Sequence, residues 1–593
     1  MGQGAAAGMD RAGLEAIVNR YVAALLAHDP AIAPFAPGAV FAENDQRLAL
    51  GQASWRTIES FGLYRHYFAD PEQGEAGLIA NLTENGAGCV YILRLKTEGG
   101  LISEAEQFVI RDANGFQFYE ELGAPDPVWL EPIPPDQRQS REALQAASWM
   151  YFQALEVNDG AGIYPFRPDC GRLEHGRNTV GREDNEGYGH ADSDTNFVTL
   201  PVKQQYELGM MAFVSVIRDR RALVVDIERG AVLGSSCFDF EGVLEHIVMT
   251  SGAEWKIPPY FRTPRTHQMN EAFKVIGGAY RYVEMTLLEV PYATRPAFLS
   301  ARPASKLTYA RTSPPPAPVA ANRRADLLGL VARVCEAMVR CCPCDLPLAD
   351  DVVFTENGQR VAPGMGSWKT ITAMGDYQVM LADPATGQAG AYGAVAEHAL
   401  FAMMALRIKV ADGLISEIEA IIVRPEVFDE ALGGSTFTMF VPPLAHDLDP
   451  KAFAALDPAL LAAPPAAQSG EQMARALDAW FAAGGGARRE NGAAVTDALV
   501  GEHSVLRGHR ALVVDAATGL ALDLALLDHP ALQPAAPTYA APSTDLHALL
   551  FRIEGEAVVQ AEGIVRRLPY GADAGWQGAT ASRPAAAGRS SPR

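Results

Sequence analysis

Apolar positions recur at helical spacing at four places along the chain. Leu14, Ile17, Val18, Tyr21, Val22 and Leu25 share one face of a helix over Leu14–Ala27. The same pattern predicts helices over Leu144–Leu155, which carries Trp149, Tyr151 and Phe152, over Ala325–Arg340 and over Glu471–Phe481. After each helix comes a Pro-flanked turn and a strand closed by an Asn-Gly, Asn-Asp or related turn. A second helix is expected near Trp55 and again near Trp368. Long apolar runs follow. Gly88–Thr97 and Leu101–Arg111 flank a Gly-Gly turn, and Ala399–Val410 and Leu414–Arg424 flank Asp412-Gly413, both hairpin signals. Helices first and a curved antiparallel sheet after make an α+β unit.

The units repeat. Phe41-Ala-Glu-Asn-Asp-Gln-Arg47 returns as Phe354-Thr-Glu-Asn-Gly-Gln-Arg360, an offset of 313 residues. At that offset Ser54-Trp55 becomes Ser367-Trp368, Tyr64 becomes Tyr377, and Gly100-Leu-Ile-Ser-Glu104 becomes Gly413-Leu-Ile-Ser-Glu417. A second element also recurs. Arg218-Asp-Arg-Arg221-Ala-Leu-Val-Val-Asp226 reappears as Arg507-Gly-His-Arg510-Ala-Leu-Val-Val-Asp515. Its offset falls from 316 at Leu173/Arg489 to 278 at Val290/Leu568, so the later copy has lost loops. The order is A1 (10–122), B1 (138–300), A2 (323–432) and an eroded B2 (468–578). A Pro-rich linker (301–322) joins the halves, and the tail (579–593) has a disordered composition. The length of 593 residues alone allows about three to six domains, and the repeat selects four.

A net charge of −22 disfavours nucleic acid or an anionic membrane as partner. No run of about 18 apolar residues would span a bilayer, and Met1–Asp10 lacks the basic and apolar regions of a secretory signal. Seven cysteines, sparse and odd in number, fit free thiols in a cytoplasmic protein. Cys341 and Cys344 have the spacing of a zinc half-site or redox pair, but nothing nearby completes a metal site. No Walker loop, dinucleotide fingerprint, nucleophile elbow or His-Glu-x-x-His is found, so no cofactor is expected.

The order of elements resembles the NTF2-like superfamily, in particular its SnoaL-like members and a two-unit subfamily of largely unknown function. The resemblance rests on Phe354-Thr-Glu-Asn-Gly-Gln-Arg360, Trp368, Ala382-Asp-Pro384, Arg407-Ile-Lys409 and Ile415-Ser-Glu-Ile-Glu419, and in B1 on Tyr151-Phe152, Asn158-Asp-Gly160, Arg218-Asp-Arg220 and Pro291-Tyr292. It implies four cone-shaped units, each with three helices closing over a curved sheet around an apolar pocket. It also implies face-to-face sheet pairing, giving internal pseudo-dimers, with a homodimer as a further arrangement.

Several residues could carry chemistry. Glu43-Asn44, Glu174-His175, Glu356-Asn357 and Glu490-Asn491 place a carboxylate beside a polar group. A buried carboxylate there would serve as a general base while Asn44 orients substrate; alternatively the pair only makes a tight turn. In A1, Tyr64 and His66 are proton-transfer candidates, with Arg47 and Trp55 on the substrate, or else Trp55 and Tyr64 are core anchors. In B1, strand alternation puts Arg218 and Arg220 on one face and Arg221 on the other. An arginine there would hold a carboxylate or phenolate, or pair with Asp219, Asp226 and Asp239. Asn178 and His267 are further binding candidates. His190 is a catalytic candidate as a general base, or else a solvated loop residue; it sits in a Gly-rich insert absent from B2 that could form a lid.

These features suggest a cofactor-independent lyase, isomerase or cyclase acting on a bulky apolar or aromatic molecule. Steroids, polyketides and lignin-derived diaryl compounds are the substrates the resemblance implies. The alternative is a non-catalytic binding or assembly module.

Overall fold

The computed structural model describes residues 9–183, 197–299, 323–425, 447–462, 464, 466–501, 504–531 and 541–576. His190 and its insert, the linker 301–322 and the tail 579–593 lie outside the described residues. The chain divides into two compact units, the first built on Met1–Ser300 and the second on Ala301–Glu426, Pro443–Pro530 and Ser543–Arg593.

In the first unit, α1 (Arg11–Leu26) begins where the Asp10 carboxylate accepts from the Gly13 amide, 2.9 Å away. Six strands follow: β1 (Phe35–Glu43), β2 (Gln46–Leu48), β3 (Ile58–Asp70), β4 (Glu75–Glu84), β5 (Ala87–Glu98) and β6 (Leu101–Ile110). Their spatial order is β2-β1-β6-β5-β4-β3. β1 and β6 run parallel and the other neighbours antiparallel, so the sheet is mixed.

Helix α2 (Ala113–Leu122) and the turn α3 (Pro127–Leu130) lead to α4 (Arg141–Val157). The second sheet comprises β7 (Phe166–Glu174), β8 (Arg177–Asn178), β9 (Val216–Asp226), β10 (Ala231–Phe240), β13 (Arg265–Ile276) and β14 (Ala279–Val290). Helix α5 (Val202–Glu207) precedes β9, and a small hairpin of β11 (His246–Val248) and β12 (Glu254–Lys256) precedes β13. Its order, β8-β7-β14-β13-β10-β9, repeats that of the first sheet. The second unit contains two further six-stranded sheets in the same order. Among the described residues the fold is therefore α+β, with repeated curved mixed sheets and few helices.

One expected element is absent. Trp55 sits in a short 3-10 turn (Ala53–Arg56), and the residues after it form the 13-residue strand β3, not a helix. Tyr64, His66 and Phe68 alternate, which is strand periodicity, and Gly62 weakens a helix. Register shifts between Ile58/Ser60 and Phe61/Arg65 mark bulges, which bend the strand. The segment around Ile371–Asp383 repeats this outcome.

Each sheet of the first unit has two apolar faces. One face of the first sheet packs beneath α1, where Leu14, Val18, Tyr21, Trp55 and Tyr91 are buried together. Its other face meets the second sheet through Tyr64, Phe68, Ile92, Phe108, Leu233 and Leu288. Buried ionic contacts cross this layer. Arg221 donates twice to Glu106 (2.6 and 2.7 Å), and Arg11 pairs with the fully buried Asp226. In the second unit Arg510 holds Glu419 and Arg324 holds Asp515 at the corresponding positions.

Removing one partner of such a pair strands the other charge. Glu106→Ala is expected to lower the stability of the first unit by about 3 kcal/mol, because Arg221 loses its carboxylate in a nearly dry layer. Urea denaturation measures this, and a loss below about 1 kcal/mol would show that the pair does not secure the sheets.

Candidate functional site

The face of the second sheet turned away from the first encloses a partly open cavity of about 190 Å³. Strand alternation decides which side chains reach it. Along β13, His267, Met269 and Glu271 line the cavity, and Thr266, Gln268 and Asn270 point to the other face. Tyr151 comes from α4, Arg172 and Glu174 from β7, Tyr206 from α5, and Met285 and Leu287 from β14. Phe213, Phe238, Phe240, Trp255 and Phe261 complete a largely aromatic wall. Asp112, Asn114 and Phe118, around the start of α2, form the rim. The cavity thus borrows its edge from the part of the chain that builds the first sheet.

Glu271 is the exceptional group. It is 1% exposed, and neither carboxylate oxygen has a hydrogen-bond partner at normal geometry. Burial pushes its carboxyl up to about 8. The Tyr151 hydroxyl opposes the shift only in part, and the nearby Glu174 charge reinforces it while Arg172 counters it. Such an acid holds its proton at neutral pH.

The other polar groups are mostly engaged. Arg172 donates to Thr179 Oγ1 (2.8 Å) and to Gln205, and it pairs with Glu174 at 3.1 Å. His267 is buried and driven down to about 3 chiefly by burial, so it stays neutral, with Nε2 2.9 Å from the Tyr260 hydroxyl. His175 lines the cavity but both ring nitrogens are used. Nδ1 lies 2.8 Å from Asp112, and Nε2 accepts from the Leu287 amide at 2.9 Å.

His175 explains the recurring Glu-Asn/His element. Asn44, His175, Asn357 and Asn491 all adopt a left-handed φ of 47–50°. Each side chain accepts from a backbone amide on the strand that runs parallel to its own: Val109, Leu287, Ile422 and Val565. Asn44 is therefore a backbone clamp and orients no ligand. Glu43 is buried against Ser54 and Gln107 Nε2 (2.9 Å), away from the cavity. Of the four carboxylates in this element, Glu174 is the one that lines it.

The remaining candidates are distributed as follows. Tyr64 and His66 lie between the two sheets, where both meet Glu284 Oε2, at 3.1 and 2.7 Å; neither lines the cavity. Trp55 is a core anchor. Arg47 is on the surface, donating to the Ala297 carbonyl. Asn178 is exposed and accepts from the Val180 amide. The expected alternation of arginines fails because Asp219 has a φ of 54° and the β9–β10 register shifts there. The bulge brings Arg218 and Arg221 to the side of the first sheet, and Arg220 to Glu156 of α4. Arg218 is held by Asp239 and Asp219. None of these arginines lines the cavity. Asp226, expected beside them, is paired instead with Arg11. The paired cysteines are Cys342 and Cys344, in a disulfide, and Cys341 is free and exposed.

Sequence reasoning missed Glu271, Arg172 and Tyr206, and read Tyr151 only as a helix aromatic. A signal for Glu271 was present: it is an acid at an inward position of an alternating strand. The copy in the second unit carries Leu549 at the matching position of its strand.

Residues 137–287 match the model of a family described as a domain of unknown function (DUF8021). The match spans Tyr151, Arg172, Glu174, His267 and Glu271, and excludes the rim residues Asp112, Asn114 and Phe118. No curated protein matches the chain. Among the described residues, no cluster of three or more His, Cys, Asp or Glu is placed to hold a metal ion, and no helix is long and apolar enough to cross a membrane.

The raised carboxyl of Glu271 has a stability consequence. Between the unfolded value near 4.5 and about 8, the folded chain holds one more proton than the unfolded chain. This group's contribution is full below pH 4.5 and is lost as pH rises toward 8, at up to about 1.4 kcal/mol per pH unit. Glu271→Gln should remove that slope and stabilise the protein relative to the native chain at pH 8. Urea midpoints compared from pH 5 to pH 9 test this; parallel profiles for the two proteins would refute it.

Proposed function

We propose that the cavity of the second sheet is the active site of a cofactor-independent enzyme. It transfers protons on a compact aromatic or apolar molecule, in a lyase, isomerase or cyclase type of reaction. The single observation that carries this reading is Glu271: a carboxyl kept protonated near neutrality, unpartnered, in an aromatic cavity. A buried acid with a value near the working pH can give and recover a proton without a large driving-force penalty. Tyr151 approaches it, and Glu174 and, at the rim, Asp112 are the other carboxylates of the cavity.

The size of the cavity narrows the substrate. An engineered cavity of about 150 Å³ takes up benzene. At about 190 Å³, a single ring with a short substituent fits inside, and a steroid or diaryl compound would have to extend through the mouth. We further read the four sheets as NTF2-like cones arranged in two pseudo-dimers. The repeated strand order and the face-to-face packing within the first unit support this assignment. In the second unit the matching interior is closed by Leu549, Phe481 and Phe551, which supports a packing role for that copy.

The test is hydrogen exchange. The full chain is incubated in D₂O with single-ring ketones, phenols and arylalkylamines, and loss of carbon-bound hydrogen beside the ring is followed by NMR. Turnover of at least one compound is expected, and Glu271→Gln should slow it by roughly 10²–10⁴-fold. Retention of the full rate by Glu271→Gln, or no exchange in any compound that binds, would leave a binding module instead.

A further inference from the structure

Two unpaired oxygens on one buried carboxyl call for a donor-rich partner. The Tyr151 hydroxyl approaches Glu271, but neither carboxyl oxygen has a partner at normal hydrogen-bond geometry, so the group keeps hydrogen-bonding capacity that the protein does not use. The charges around the cavity lean the same way. Arg172 and Arg177 face Asp112, Glu174 and Glu271, so the lining is one positive charge short when Glu271 is ionised. Arg172 is already held by Glu174, Thr179 and Gln205, and Arg177 lies over the Phe118 ring, 5.7 Å from its centre. An anionic ligand would meet a surplus of carboxylates. The wall is aromatic: the Tyr151 ring is 5.5 Å from Tyr206, and Phe213 is 5.2 Å from Trp255 and 4.9 Å from Phe261. Such rings hold a cation by their faces.

We propose that the ligand presents a protonated amine to Glu271, with its apolar body among Tyr151, Tyr206 and the neighbouring aromatic side chains. The inference rests on the reading of this cavity as the substrate site and names the class of substrate. An ammonium supplies three N–H donors, enough for both Glu271 oxygens. Its arrival expels the Glu271 proton to solvent and restores the charge balance of the lining. The groups facing Glu271 from the neighbouring elements are as follows, with His175 of the turn after β7 held between Asp112 and the Leu287 amide and Arg177 over Phe118. Tyr151 of α4 and Tyr206 of α5 have hydroxyls pushed far up by burial, His267 of β13 remains neutral, and Arg172 and Glu174 of β7 are paired with each other.

Calorimetric titration of the full chain with benzylamine, benzyl alcohol and benzoate decides the matter, because the three differ in charge and hardly in shape. At pH 7 benzylamine should bind at least roughly tenfold more tightly than either analogue. Its binding should release close to one proton, read from the dependence of the heat on buffer ionisation, and the release should fade by pH 9. In Glu271→Gln the preference for benzylamine over benzyl alcohol should vanish, and the proton release with it. Tighter binding of benzyl alcohol or benzoate, or a benzylamine preference that survives Glu271→Gln, overturns the amine assignment and leaves the cavity as a ligand site. Binding of none of the three overturns the cavity reading itself, and the amine with it.

Discussion

Each six-stranded sheet contains one parallel strand pair, pinned by the side chain of a left-handed turn residue. A parallel pair lacks the short hairpin that sets the register of its antiparallel neighbours, so register must come from elsewhere. Here Asn44, His175, Asn357 and Asn491 supply it, each capturing one amide of the partner strand. The left-handed conformation costs an L-residue roughly 1–2 kcal/mol, which the captured amide offsets. The cavity depends on this clamp. His175 ties β7 to Leu287 on β14, and the adjoining residues Glu174 and Arg172 are thereby held at the wall. Asp112 grips the other nitrogen of His175, so the start of α2 is fixed to the rim by the same side chain. An Asn in this place could not reach both partners, since its shorter amide is consumed by the strand.

The two units keep the frame and differ in the interior. Arg11–Asp226 and Arg324–Asp515, Arg221–Glu106 and Arg510–Glu419, Tyr64–Glu284 and Tyr377–Glu562 are the same contacts at matching positions. Arg172–Glu174 likewise recurs as Arg488–Glu490. What changes is the chemistry of the cavity. Glu271 corresponds to Leu549, and Tyr151, eleven residues after the cap Ser140, corresponds to Trp480 after Ser469. A frame held by ion pairs that cross two sheets tolerates such exchanges, because the pairs do not pass through the cavity.

Helices and hairpins were legible in the chain because their signals are local. The period of apolar residues places α1 and α4 within three residues of their observed ends, and the Gly-Gly and Asp-Gly turns locate β5 and β6 and their copies. Trp55 misled because one aromatic at a segment start says nothing of period; the alternation of Tyr64, His66 and Phe68 carried the information. The repeat showed which residues mattered in every sheet, and those were the clamps and interface acids. Chemistry confined to one copy is invisible to a search for what recurs. Glu271 has no counterpart and therefore no echo. Arg218 and Arg221 could not be placed because the bulge at Asp219 changes their faces, and a bulge leaves no period in the sequence.

An unpaired carboxyl in a largely aromatic cavity is a liability for folding alone. At the same strand position the second unit carries Leu549, buried in one cluster with Phe481 and Phe551. At Glu271 the chain instead leaves the cavity open and both oxygens without partners, an arrangement that sacrifices stability increasingly as pH rises. Tyr151 stands near enough to moderate the acid without satisfying it. A fully bonded carboxylate would be stable and inert, because its lone pairs would already be spent on the protein. An unsatisfied one keeps its hydrogen-bonding capacity for whatever enters, and the stability it forgoes becomes affinity for a ligand that completes it.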